Sequence, residues 1–196
     1  IYTLSLHDAL PISSWCFGIM VDTDDIIVTA GASEAVNFAF LACLNPGDEL
    51  LIPEPAYANY MSFAISCGVV VKAVPSSIED GFALPSINKF EEMITPRTKA
   101  VMICNPNNPT GYLYTAEEMC RLSELVRKYN IFLFADEVYR EFCYTDAPYV
   151  SSFHLEGLEQ HVVMLDSVSK RYSECGIRVG VLVTKNAPSW RRKSVV

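Results

Sequence analysis

The sequence predicts an α/β fold built on a largely parallel sheet, and three observations predict it. Short apolar runs suited to buried strands alternate with longer segments whose apolar residues recur at helical spacing. Five polar motifs each follow directly on such a run, which is where open α/β sheets present ligands with the carboxyl ends of their strands. No internal repeat or low-complexity tract interrupts the alternation.

At 196 residues the chain suffices for one domain that buries roughly 70% of its unfolded surface. Its 23 acidic and 15 basic residues give a formal charge of -8. That balance argues against nucleic acid or an acidic membrane surface as partner, since both want a basic face. The basic cluster Arg191, Arg192, Lys193 is too short to change this. No apolar run approaches the roughly 18 residues of a membrane span, and the N-terminal stretch lacks the charged region of a signal peptide. Seven cysteines, at 16, 43, 67, 104, 120, 143 and 175, form no CxxC pair and stand among apolar neighbours. They read as small buried hydrophobes of a reducing compartment, with no metal site among them, and a cytoplasmic location is expected.

Residues 1–14, IYTLSLHDALPISS, follow no period and are broken by Pro11; they are set aside as a non-native or disordered leader, and residues 15–196 are taken as the domain. Residues 25–30 predict a strand that turns into a helix at Gly31, Ala32 and Ser33, with Ala35, Val36, Ala39 and Phe40 as its apolar stripe. Such a junction offers an anion the backbone N–H groups of a helix start, and Ser33 either adds its hydroxyl or simply caps the helix. Residues 49–53 predict a second strand and residues 54–68 a helix, with Tyr57 at its start and Tyr60 packed in the core. A further strand is expected at 69–75 and a short helix at 86–93.

The strand predicted at 99–104 runs into Asn105-Pro-Asn-Asn-Pro-Thr-Gly111, a rigid turn. Asn108 reads either as an ordinary turn residue or as an amide held out to a ligand. Residues 115–129 predict a helix, with Thr115 and Glu118 as a capping box. The apolar run 131–135 predicts a strand ending in Asp136 and Glu137. Asp136 is placed to neutralise a buried cation and Tyr139 to present its phenol, while Glu137 reads as a helix-start carboxylate. Residues 140–160 are mostly loop, either covering the site or meeting a second subunit. A strand at 162–165 leads to Ser167, Ser169 and Lys170, and residues 176–183 predict a last strand carrying Arg178, either as an edge cation or as a fork for an anion. Lys170 is read as a solvent-exposed side chain or as a catalytic amine that attacks carbonyls. Arg171 beside it reads either as a second cation near the amine or as a solvent-facing side chain.

Taken in order, GASEAV, PEPAYANY, NPNNPTG, DEVY and SVSKRYSECGIRVG resemble the fold type I, class I and II aminotransferases that use pyridoxal 5′-phosphate. The resemblance covers about residues 25–185. It implies a three-layer aminotransferase-like large domain with a mostly parallel mixed sheet, and an enzyme that moves an amino group between an L-amino acid, aspartate foremost, and a 2-oxo acid. Lys170 matches the lysine that bonds the cofactor and moves the proton between the substrate α-carbon and cofactor C4′. Asp136 matches the partner of the pyridine nitrogen, Tyr139 and Asn108 the pair that hydrogen-bonds the ring oxygen, and Tyr57 the stacking aromatic. Ala32, Ser33, Ser167, Ser169 and Arg178 match the phosphate cradle. The family's enzymes are homodimers, and the full-length protein is expected to be one. Their N-terminal arm and small C-terminal domain have no counterpart in this sequence, so an incomplete fold, a fragment whose activity on its own is open, is expected. Two alternatives keep the scaffold: a carbon–sulfur β-lyase using the same cofactor, and a non-catalytic regulatory domain.

Overall fold

Apolar runs buried on both faces produce the central strands. The structure, a computed structural model describing residues 18–186, contains β1 (Ile26–Thr29), β2 (Glu49–Glu54), β3 (Val70–Pro75), β4 (Thr98–Cys104), β5 (Phe132–Asp136), β6 (Val162–Ser167) and β7 (Gly180–Val183). The helices are α1 (Ala32–Cys43), α2 (Asn59–Ser66), α3 (Ile87–Met93), α4 (Ala116–Tyr129) and the single turn α5 (Val168–Arg171). The strands form one sheet in the order β1-β7-β6-β5-β4-β2-β3. β7 is antiparallel to both its neighbours, β1 and β6, and the other pairings are parallel. The mostly parallel mixed sheet expected from the sequence is the one observed. The expectations for residues 1–14, Cys16 and the basic cluster at 191–193 fall outside the described residues.

The period of two along each strand sorts the core onto two faces. Leu50, Ile52, Met102, Phe134 and Leu165 meet Val36 and Phe40 of α1 and Tyr60 and Ala64 of α2. Leu51, Val101, Ile103, Leu133 and Val162 meet Phe90 of α3 and Met119, Leu122, Leu125 and Val126 of α4. Three layers result, with both faces of the sheet covered. In α4 the local signals agree with the packing: the Thr115 hydroxyl accepts from Glu118 N at 3.1 Å while the Glu118 carboxylate accepts from Thr115 N at 2.7 Å, a reciprocal cap.

Three expectations are corrected. β7 begins only at Gly180, so Arg178 lies in the loop before it, with a left-handed φ of 54°. The apolar run 176–183 mimics a longer strand, yet pairing with β1 and β6 starts where Gly180 meets them. The helix expected from residue 54 starts at Asn59; Glu54 still belongs to β2, and Pro55 disfavours a helical conformation there. Of the cysteines, Cys104 is buried, but Cys120 and Cys175 are exposed and Cys43, Cys67 and Cys143 half-buried. Apolar neighbours in sequence do not place a residue on the apolar face of a helix, and Cys120 falls outside the stripe that Met119 and Leu122 define. Among the described residues no helix is long and apolar enough to cross a membrane.

Candidate functional site

Segments following β1, β2, β4, β5 and β6 converge on a cavity of about 210 Å³ on the α1 and α2 side of the sheet. Its first wall is the turn into α1. Gly31 is the N-cap, with a φ of 85° and no side-chain cap bond, so Ser33 is not the cap and lines the cavity with Ala32. Arg178 lies over this turn: Nη2 donates to Ala30 O at 3.3 Å and Nη1 to Cys175 O at 3.1 Å. A Cβ on Gly31 would stand 2.1 Å from Arg178 Nη2, and one on Gly180 would stand 2.5 Å from Gly31 C and 2.6 Å from Ala32 N. Two glycines therefore let helix start and guanidinium close together. Ser167 Oγ accepts from Ser169 N at 3.3 Å and caps the turn that carries Lys170. Helix N–H groups, hydroxyls and a fork-shaped cation in one concavity suit an anion such as phosphate.

The floor is acidic and buried. Along β5 the alternation that buries Phe134 sends Asp136 to the same face, where it is 6% exposed. Its Oδ2 accepts from the Tyr60 hydroxyl at 2.6 Å and its Oδ1 from Val138 N at 3.2 Å. Burial pushes the Asp136 carboxyl up from 3.8 to about 6; the Tyr60 and Val138 bonds oppose this, and the charges of Asp166 and Glu137 add to it. Burial, then the Asp136 charge, likewise holds the Tyr60 phenol well above its ordinary range. A carboxylate so placed gains from a cation brought against it.

Aromatic rings and the amine complete the enclosure. Tyr57 meets Tyr60 edge-on, with centroids 5.3 Å apart, and its hydroxyl accepts from Asn59 Nδ2 at 2.7 Å. Asn108 Nδ2 donates to the Tyr139 hydroxyl at 3.4 Å. The turn bonds belong instead to Asn107, whose Oδ1 accepts from Thr110 N at 3.2 Å and Thr110 Oγ1 at 3.0 Å. Lys170 Nζ lies 6.0 Å from the Tyr139 ring centroid. Burial raises the Tyr139 phenol and the lysine charge opposes it.

The structure brings Ala32, Ser33, Tyr57, Asn108, Asp136, Tyr139, Ser167, Ser169, Lys170 and Arg178 to this one cavity. Sequence reasoning missed the role of Tyr60, kept as plain core; it is buried, yet its hydroxyl reaches Asp136. No local signal separated it from a core tyrosine, since both have the same helical spacing. Glu137 is no helix-start carboxylate: it is buried and accepts from Ser151 Oγ at 2.9 Å, Ser152 N at 2.8 Å and Ser152 Oγ at 2.7 Å. Those bonds hold the loop 140–160, of which no residue lines the cavity. Arg171 does not point to solvent but donates to Asp166 Oδ2 at 3.0 Å.

Residues 12–194 match the family described as aminotransferase class I and II. The putative aminotransferase YugH of Bacillus subtilis is 35% identical over 173 residues, 88% of this chain and 44% of that protein. An aspartate aminotransferase of Thermotoga maritima is 35% identical over 164 residues, 84% of this chain and 43% of that protein. Among solved structures, an aromatic aminotransferase from Pyrococcus horikoshii superposes with a TM-score of 0.89 at 29% identity, over 95% of this chain and 50% of that one. The chain spans under half the length of these two curated relatives.

Proposed function

The chain belongs to the class I and II aminotransferase family, and from that premise we propose that it is the pyridoxal-phosphate-binding large domain of an enzyme that transfers an amino group between an α-amino acid and a 2-oxo acid. Membership implies a pyridoxal 5′-phosphate site, and the residues fit one. The observation that carries the reading is the single cavity with an anion cradle at one end, a buried carboxylate in its floor and an amine at its edge. Each end matches one part of the cofactor in charge.

Pyridoxal 5′-phosphate, when bound, supplies an aldehyde and a conjugated ring that withdraws electrons from a substrate carbon. The N-terminus of α1 with Ala32 and Ser33, the hydroxyls of Ser167 and Ser169, and Arg178 would hold its phosphate. Tyr57 would stack on the ring, and the Asp136 carboxylate would keep a proton on the ring nitrogen. Tyr139 and Asn108 would hydrogen-bond the ring oxygen. Lys170 Nζ would bond the cofactor and, once released, take the proton from the substrate α-carbon and return it at C4′. Tyr60, by donating to Asp136, favours the ionised carboxylate that this task needs.

Aspartate is the proposed donor to assay first, with glutamate and alanine beside it, the full protein acting as a homodimer in the cytoplasm. The test is to add pyridoxal 5′-phosphate, desalt, reduce with borohydride and map the adduct by mass spectrometry. Attachment at Lys170, lost in Lys170→Ala, supports the assignment. A folded protein that retains no cofactor, or carries it on another lysine, overturns it.

A further inference from the structure

The cavity lies on one face of the sheet, and the opposite face at the same strand ends carries charges that the proposed chemistry does not use. The period of two explains the sorting. Asp136 and Ser167 face the cavity, while Glu137 and Asp166, each one residue out of phase, turn away from it. There Asp166 Oδ2 accepts from both Arg140 Nη2 and Arg171 Nη2, the latter at 3.0 Å. Glu141 Oε1 lies 2.5 Å from Arg171 Nε and 3.6 Å from Arg140 Nε, and Glu137 lies 3.8 Å from Arg140. The side chains of Arg140 and Glu137 are 1% exposed, that of Asp166 5% and that of Arg171 10%.

Lys170 stands on α5, a helix of four residues. One turn of helix fixes its dihedrals for too few hydrogen bonds to hold itself. α5 also lacks a broad apolar face, since Ser169 is its one buried residue. Its neighbours Tyr172, Ser173 and Glu174 are exposed. The chain therefore has to fix the amine by other means, and Arg171, adjacent to it, reaches Glu141 in the segment after β5.

We propose that Arg171 is a positioning residue for Lys170: through Asp166 and Glu141, both shared with Arg140, it ties the turn that carries the amine to the turn after β5 that carries Tyr139. Charge pairing beneath the sheet then sets the spacing of amine and phenol above it. A shared carboxylate suits this purpose, because one oxygen of Asp166 bonds both arginines and neither segment moves without straining the other. Asp166, Arg140 and Arg171 are low in solvent, where such pairs are little screened, while Glu141 stands at the rim, its side chain 30% exposed. The role in catalysis rests on the proposed cofactor reading; the clamp itself does not.

The experiment uses Arg171→Gln and Arg171→Lys in the whole protein, with two readouts. Amide hydrogen exchange without cofactor is expected to speed up in residues 168–172 of Arg171→Gln by roughly tenfold or more, with residues 132–136 and 162–165 unchanged. Arg171→Lys, which keeps the charge but not the fork, recovers part of the protection. With pyridoxal 5′-phosphate, the same Gln variant should bind the cofactor non-covalently about as well as wild type while attaching it to Lys170 roughly tenfold more slowly. Unchanged exchange at 168–172 overturns the clamp, as does a uniform rise over the whole sheet, which would mean general loosening. If wild type takes up no cofactor, the functional reading fails and the exchange result alone decides the clamp.

Discussion

Replacing Asp136 with asparagine tests the electrostatics of the cavity floor without any ligand. In the folded chain burial holds this carboxyl up at about 6, against 3.8 ordinarily. An acid raised on folding contributes stability that is fully present below 3.8 and is lost as pH rises through about 6. At about 1.4 kcal/mol per pH unit, carrying Asp136 ionised at neutral pH costs the empty fold about 3 kcal/mol. Asparagine removes that cost but can accept only one of the two bonds from Tyr60 and Val138 with its carbonyl, a loss of roughly 1 kcal/mol at every pH. The variant should thus be less stable than wild type by about 1 kcal/mol near pH 3, and more stable by about 2 kcal/mol near pH 7.5. Urea denaturation at a series of pH values, followed by circular dichroism, measures it. The difference between the two proteins is the quantity to use, since it cancels opposing groups. Glu49 is one of these: the Thr95 hydroxyl first, then Thr98 and Arg97, hold it at about 2 against burial, so its stabilisation is lost as pH falls from 4.5. A difference curve flat with pH would refute the account of Asp136.

Gly180→Ala should cost roughly 1–3 kcal/mol, read by denaturant midpoint, because its Cβ would meet the Gly31 backbone at 2.5 Å. The same variant should weaken binding of pyridoxal 5′-phosphate more than that of pyridoxal, since the displaced turn faces the phosphate; equal loss for both ligands would contradict the cradle. Thr115→Ala should lower stability by about 1 kcal/mol through the lost bond to Glu118 N, and Thr115→Ser should restore it.

Much of the fold was legible because strand and helix periods are local. The runs at 49–53, 99–104 and 131–135 are apolar on both faces, as strands buried between two helix layers must be, and α4 carries its own start signal. The strand order was not legible: that β7 inserts between β1 and β6 depends on contacts far apart in sequence. Arg178 shows the limit well. Within GIRVGVLV it sits in a pattern that reads as strand, and only the close approach of Gly180 to Gly31 shows where pairing must begin. In the cavity, residue types at strand ends pointed to the participants, while the partnership of Tyr60 with Asp136 was hidden because a core tyrosine and a hydrogen-bonding one have the same helical spacing. Glu137, read as a helix-start carboxylate, and Arg171, left open between a second cation near the amine and a solvent-facing side chain, were not placed by the sequence. Their partners, Ser151 and Ser152 for the one and Asp166 for the other, are contacts that spacing does not show.

β1 pairs with β7 alone, Ile26 against Val183, so the earliest described strand has to wait for the latest. During synthesis the start of α1 leaves the ribosome long before Arg178 and Gly180 do, and until they arrive β1 is unpaired and β6 presents an open edge. Closure of so distant a pair carries a large chain-entropy barrier and belongs late in folding. The two halves of the anion cradle meet in that same closing step, so a nascent chain has no cradle to fill until its sheet is sealed.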